Sequence, residues 1–117
     1  MNGEMNPGYE ELRKQLYEVA NNRSYTTYSK VAPIVNLQMS DPEDRDRMSE
    51  ILTQIDREEC KLGRPLLSAV VIREDINKPG DGFFKCAREL GLYYGDDDLK
   101  YWLEELRRVH DFDWPKS

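Results

Sequence analysis

The feature that most constrains the fold is a continuous apolar run, "LLSAVVI", at residues 66–72. It is too short for an ordinary helix, and its valines and isoleucine favour a buried strand. A single strand leaves its backbone N–H and C=O groups unpaired, so it needs a neighbour. Three neighbours are open: the "YTTY" segment at residues 25–28, the "GFF" segment at residues 82–84, and the edge of a second subunit.

Two helices are predicted before this run near the N-terminus. Residues 6–22 begin with Asn-Pro, which suits a helix start, and carry apolar side chains at helical spacing. Thr26 or Thr27 is suited to cap a short second helix, and Pro33 should kink or shorten that helix because it lacks a backbone donor.

A long third helix is predicted from "SDPED" to Gly63. Ser40 is a candidate N-cap, the proline suits the first helical position, and the acidic residues favour the positive end of the helix dipole. Gly63 is suited to end the helix. Its predicted buried stripe consists of Met48, Ile51, Leu52, Ile55 and Leu62.

Two further helices are predicted after the apolar run. "GFFKCAREL" has helical spacing and stops at Gly91, with Asp81 as a candidate cap. The last helix follows "YYGDDD", where Asp96–Asp98 are suited to capping. Its predicted buried stripe consists of Leu99, Trp102, Leu103, Leu106 and Val109.

These elements predict a mainly helical α+β fold in a single domain spanning residues 1–117. About five helices surround one strand or a small hairpin near residues 66–84, in a winged-helix-like order. The chain length is near the commonest size for one domain, and a 38% hydrophobic, 34% charged composition is typical of globular proteins.

Charge and cysteine usage narrow the function classes. A net charge of −6 argues against a protein that must neutralise many phosphates. The first 14 residues lack the basic start and apolar stretch of a secretory signal, and no apolar run approaches the roughly 18 residues that span a bilayer. We therefore expect a cytoplasmic protein with no membrane association. Cys60 and Cys86 lack the close spacing of a zinc or redox pair, so both are predicted to be reduced thiols.

Catalytic chemistry has few residues to use. A Ser or Cys nucleophile usually needs a histidine base, and the only histidine, His110, is interpreted as a residue at a helix C-terminus. The sequence has no His/Cys cluster, so we predict no metal site, no cofactor and no catalytic residue. The loop acids Glu74, Asp75 and Asp81 keep a nuclease-like site open as a third hypothesis. The glycines of "KPGDGF" are interpreted as turn residues.

Two sequence blocks carry a resemblance. "TYSKVA" at residues 27–32, "PLLSAVV" at residues 65–71 and the later "PGDGF" resemble, in outline, the winged helix-turn-helix of the alkylguanine alkyltransferases and alkyltransferase-like proteins. That resemblance implies a DNA-binding domain. The reactive cysteine of that family, in a Pro-Cys-His-Arg motif, is absent because Leu66 follows Pro65, so alkyl transfer is not implied. The chain is also similar to uncharacterised small bacterial proteins that share "YTTYSKVAPIV" and "GRPLLSAVV…PGDGFF".

The distribution of charge favours a protein partner over a nucleic acid. Residues 61–90 carry six basic and four acidic groups, a local +2, whereas residues 41–62 carry eight acids and four bases, a local −4. An acidic helix is a poor occupant of the major groove. The candidate contact residues for a partner or a nucleic acid are Arg64, Arg73, Lys78, Lys85 and Arg88.

The function predicted from the sequence is a non-enzymatic cytoplasmic binding or regulatory module that recognises a macromolecular partner. The partner is expected to be a protein, or a second copy of the chain docking on the 66–74 strand, since an unpaired strand edge is a template for pairing. The alternative is a winged-helix nucleic-acid-binding protein that uses the 73–85 loop. The sequence favours a non-enzymatic role without excluding an enzyme.

Overall fold

The computed structural model describes residues 6–116. Its helices and strands follow in the order α1 (Tyr9–Asn21), β1 (Thr26–Thr27), α2 (Tyr28–Val31), α3 (Pro42–Lys61), β2 (Val71–Ile72), α4 (Asp81–Glu89) and α5 (Asp98–Asp111). Two 3₁₀ turns, Ala32–Val35 and Leu67–Val70, complete the secondary structure of this part. The mainly helical α+β prediction is confirmed. The prediction about a secretory signal falls partly on residues 1–5, which lie outside the described residues.

The two short strands form a parallel pair. Thr26 lies opposite Val71, and Thr27 lies opposite Ile72. The "YTTY" segment is therefore the neighbour that the apolar run requires. An antiparallel bridge between Arg73 and Lys78 closes the loop that follows β2. The predicted strand or small hairpin near residues 66–84 thus takes the form of one short strand and a closed loop.

Residues 66–72, here called the inner segment, lie at the centre of the fold. None of the seven is more than 5% exposed, and the 3₁₀ turn within them packs against α1, α3 and α5. Only Val71 and Ile72 are a strand, because the preceding residues adopt the tighter turn. Self-association through the 66–74 strand stays a prediction; of that stretch, only Arg73 and Glu74 are exposed.

The first helix begins later than the sequence predicts. Asn6 accepts a hydrogen bond from the Gly8 N–H at 2.8 Å and donates its amide to the Val35 carbonyl at 2.9 Å. This side chain organises a turn before the helix, so α1 starts at Tyr9. A Cβ atom on Gly8 would lie 1.9 Å from the backbone oxygen of Ile34, which explains why glycine occupies this turn.

The helix ends of α2 and α3 follow local chemistry. Thr27 caps α2 by accepting the Lys30 N–H at 3.3 Å, as one of the two predicted caps. Asp41, rather than Ser40, caps α3 by accepting the Glu43 N–H at 2.9 Å. Gly63 adopts a φ of +75° immediately after α3, which confirms the predicted glycine stop.

The predicted apolar stripes are correct at their centres and wrong at their edges. Leu62, Leu99 and Leu103 are 61%, 53% and 49% exposed, although each was assigned to a buried face. On α5 the inner face includes Glu105, which is only 2% exposed. Its carboxylate accepts the Leu66 N–H at 2.7 Å, so a polar contact replaces the apolar one that the pattern predicted.

Candidate functional site

A cleft with a volume of about 760 Å³ opens beside the inner segment. Five parts of the chain form its walls: the start of α2, Met39 before α3, the first half of α3, the loop after β2, and the start of α4. The inner segment leads directly into the loop that forms one wall. The cleft is therefore attached to the centre of the fold through β2.

Two close contacts hold the walls together. The hydroxyl of Tyr28, at the start of α2, accepts the Gly80 N–H at 3.2 Å. Gly82, in the first turn of α4, passes so near α3 that a Cβ atom there would lie 2.3 Å from Ser49 Oγ. Gly82 thus permits close approach of α4 to α3.

The start of α4 differs from the prediction. Gly80 occupies the N-cap position and Asp81 is the first helical residue, so Asp81 does not cap the helix. Among residues 6–116, no side chain provides a capping hydrogen bond at this end. The carboxylate of Asp81 is exposed at the cleft, and the positive end of the α4 dipole stabilises its negative charge.

Both arginines of the cleft already have acceptors within the protein. Arg45 donates to the Met39 carbonyl at 2.9 Å. Arg73 makes a two-point contact with Asp75 at 3.1 and 2.7 Å. The hydrogen bond from Arg73 lowers the pKa of Asp75, so this pair stays ionised and its charges offset each other.

Carboxylates outnumber arginines in the cleft lining by four to two. Arg45 keeps its charge, and of the two arginines only Arg73 has an acid partner among the described residues. Asp46, Glu74 and Asp81 line the cleft, and within residues 6–116 none of them has a basic group within 4 Å. These carboxylates come from α3, the loop and α4. The cleft therefore presents an acidic surface even though two arginines belong to it.

The five candidate contact residues do not gather in one place. Arg64 binds the buried Glu59 at 2.9 Å, and Arg88 lies over the Tyr93 ring at 4.2 Å and 3.7 Å from Asp98. Of the five, only Arg73 lines the cleft. Lys78 forms the backbone bridge to Arg73, and Lys85 is exposed on α4.

The residues considered for catalysis are also dispersed or occupied. Glu74, Asp75 and Asp81 line the same cleft, but the described residues contain no group of three or more acids, histidines or cysteines arranged to hold a metal ion. His110 Nε2 lies 2.8 Å from the Ser24 carbonyl, outside the cleft lining. Cys60 and Cys86 are free, and burial raises the pKa of Cys86 to about 12, which disfavours its reactive thiolate.

The sequence interpretation missed three buried carboxylates, Asp56, Glu59 and Glu105. Their signal is positional: residues 52, 55, 56 and 59 follow the spacing of one helical face, so Asp56 and Glu59 fall on the apolar side of α3. Glu105 falls in the same way between Trp102 and Val109 on α5. Charged residues at core positions indicate specific polar partners in the interior.

Glu59 has the richest set of such partners. Its carboxylate accepts from Arg13 Nε at 2.9 Å, from Arg64 Nη1 at 2.9 Å and from the Tyr17 hydroxyl. The Arg13 guanidinium also contacts Glu58 at 2.8 Å. The cluster joins α1 to the end of α3 through charged hydrogen bonds.

No protein family, no curated protein and no solved structure matches the chain. Within residues 6–116, no helix combines the length and apolar character needed to cross a membrane. The charges that line the cleft are therefore the basis for a functional hypothesis.

Proposed function

We propose that the protein is a non-enzymatic binding or regulatory module that recognises a macromolecular partner, namely a protein, through the acidic cleft between α2, α3 and α4. The observation that carries this proposal is the charge of the cleft. Its two guanidinium groups are held by internal acceptors, whereas Asp46, Glu74 and Asp81 have no basic group in range among the described residues. Basic side chains of a protein segment would complement that surface.

The nucleic-acid alternative has weaker support. A phosphate-binding wing needs cations that are free to contact the backbone of the nucleic acid. In the 73–85 loop, Arg73 is paired with Asp75. The two other cations, Lys78 and Lys85, are matched in number by Glu74 and Asp81, so the loop has no net positive charge. The winged-helix resemblance remains a prediction.

Site-specific crosslinking tests the proposal in cells that naturally contain the protein. A photoreactive p-benzoylphenylalanine replaces the exposed Ser29, which lines the cleft, and in a control replaces the exposed Glu104 on α5. We expect a defined protein adduct from the cleft position that the control position does not give. The yield of this adduct should fall when Asp46, Glu74 and Asp81 are changed to Asn, Gln and Asn.

A salt titration with duplex DNA tests the alternative. We expect binding weaker than about 1 μM at physiological ionic strength, as is typical of non-specific contacts. Tighter, salt-dependent binding that is lost on neutralising Arg73, Lys78 and Lys85 would overturn the proposal and favour the winged-helix function. A nucleic-acid adduct at the Ser29 position would do the same.

A further inference from the structure

Asp56 of α3 holds the inner segment at its centre. The side chain is 1% exposed, and one carboxylate oxygen accepts the backbone N–H of Ser68 at 2.9 Å. The Ser68 hydroxyl lies 2.5 Å from the other oxygen. Both contacts reach the same residue of the 3₁₀ turn, so Asp56 fastens that turn to α3.

No cation compensates this carboxylate. Among residues 6–116, Asp56 has no basic group within 4 Å, and its neighbour Arg57 is half exposed and lies 3.5 Å from Glu89. The titratable groups near it on the surrounding helices are all acids: Glu59 on α3, Glu105 and Tyr101 on α5, Cys86 on α4, and Tyr28 on α2. The surroundings of Asp56 therefore do little to stabilise a negative charge on its carboxylate.

These surroundings favour the protonated acid. Burial, together with the nearby Glu105 and Glu59, raises the pKa of Asp56 to about 7, although the two hydrogen bonds that Ser68 donates act in the opposite direction. The geometry also accommodates a proton on the carboxyl group: the Ser68 N–H donates to Oδ1. The Ser68 hydroxyl, which donates to Oδ2 of the carboxylate, can rotate to accept from an Oδ2–H instead.

The inner segment transmits this contact to the cleft. It continues through β2 into Arg73, Glu74 and Asp75, which form one wall of the cleft. Two contacts from α5 hold the same turn: Glu105 accepts the Leu66 N–H, and Trp102 donates to the Ala69 carbonyl at 2.9 Å. A change at Asp56 therefore acts on the contact between the inner segment and α3, while α1 and α5 pack against the same turn and β1 pairs with β2.

We propose that Asp56 is a proton-dependent clasp, which holds the inner segment against α3 when protonated and loosens that segment, with the attached cleft wall, when it loses its proton. The proton passes to solvent, and the resulting carboxylate still accepts both Ser68 hydrogen bonds. It is, however, a buried charge with no basic group within 4 Å among residues 6–116, which favours opening of this contact to water. The part of this proposal that concerns the cleft rests on the proposed function. The clasp itself is a property of the folded chain alone.

The direction of the pH effect follows from linkage. An unfolded or locally opened chain exposes Asp56, whose pKa then returns to its ordinary value near 4, whereas the closed form keeps it near 7. The closed form therefore binds the proton more tightly. Its stability is highest in acid and falls as the pH rises from about 4 towards about 7.

Amide hydrogen exchange tests the clasp without any partner. The protection of the Ser68 amide, corrected for the intrinsic exchange rate, is measured at pH 5 and pH 8 in the wild type and in Asp56→Asn. We expect protection in the wild type to fall roughly fifty- to a hundredfold over this range, and to change little in Asp56→Asn. Asp113→Asn, at an exposed position, serves as the matched control and should behave as the wild type.

Carbon-13 NMR titration of the Asp56 carboxyl in the wild-type protein provides a second measurement that needs no variant. We expect a midpoint near 7. A midpoint below about 5, within the ordinary range for aspartate, would overturn the proposal. Equal wild-type protection at both pH values would also overturn it. Because neither experiment uses a partner, the clasp and the cleft function fail independently.

Discussion

Two buried carboxylates on α3, one helical turn apart, are stabilised in opposite ways. Glu59 is fully buried and receives hydrogen bonds from Arg13, Arg64 and Tyr17. Asp56 is similarly buried, and within residues 6–116 it receives hydrogen bonds only from the amide and hydroxyl of Ser68. Burial alone therefore does not decide the ionisation of an acid; the charge of its partners does.

The difference separates a structural site from a responsive one. Two guanidinium groups compensate the charge of Glu59, so its cluster joins α1 to α3 as a network of charged hydrogen bonds. The Asp56 clasp lacks such compensation, and its stability depends on a proton taken from solvent. The following predictions test this contrast in order of decreasing effect.

The largest expected effect is the loss of the Glu59 charge. Glu59→Gln removes the anion between Arg13 and Arg64 and replaces one of its two acceptor oxygens with an NH₂ donor. We expect the free energy of unfolding to fall by about 3 kcal/mol or more, as is typical when one partner of a buried ion pair is removed. Chemical denaturation at pH 7 measures it. Glu58→Gln, whose side chain is 30% exposed, is the control and should lose clearly less.

The second prediction concerns the pH dependence of global stability. Between pH 5 and pH 8 the wild type should lose about 2 to 3 kcal/mol more of its unfolding free energy than Asp56→Asn, because only the wild type must ionise a buried acid. Asparagine retains an acceptor for the Ser68 N–H and a donor for Ser68 Oγ, so the variant keeps the contacts. Parallel pH profiles for the two proteins would contradict the contrast between Asp56 and Glu59.

The start of α2, the end of α3 and the apolar centre of each stripe were predictable from the sequence. Gly63 and Thr27 act through local backbone geometry, which a short window of sequence contains. The 3₁₀ turn within the inner segment was not predictable from the sequence. Backbone groups of this segment bind Glu105, Asp56 and Trp102, which are distant in the chain.

The candidate site was less predictable than the fold. The sequence identified Arg73, Glu74, Asp75 and Asp81 as notable, and these residues do line the cleft. It did not identify Tyr28 or Ser49, because their place at the cleft depends on how α2 and α3 pack near the start of α4. The basic residues of 61–90 form no single face, since Arg64 and Arg88 contact acids in different clusters.

The third prediction removes one neutral member of the Glu59 cluster. The Tyr17 hydroxyl donates to Glu59 and accepts from Arg13 Nε at 3.0 Å. Tyr17→Phe deletes these contacts while preserving the ring that stacks on Trp114 at 5.5 Å. We expect a loss of about 2 kcal/mol, as for hydrogen bonds to charged groups. Thermal and chemical denaturation should agree; an unchanged stability would mean that the arginines alone support Glu59.

The smallest expected effect comes from the matched change on the Asp56 side of the core. The hydroxyl of Tyr101 is buried and has no hydrogen-bond partner among the described residues, and burial together with the nearby Glu105 raises its pKa. Tyr101→Phe removes a polar atom that gains nothing from its surroundings and keeps the ring that stacks on Tyr93 at 4.4 Å. The free energy of unfolding should therefore stay within about 0.5 kcal/mol of the wild type or rise slightly, because an unsatisfied buried group is itself destabilising. A loss of unfolding free energy comparable to that of Tyr17→Phe, measured under the same conditions, would show that the Tyr101 hydroxyl has a polar partner. The polar groups near Asp56 would then be compensated more like those near Glu59 than the contrast between these two acids indicates.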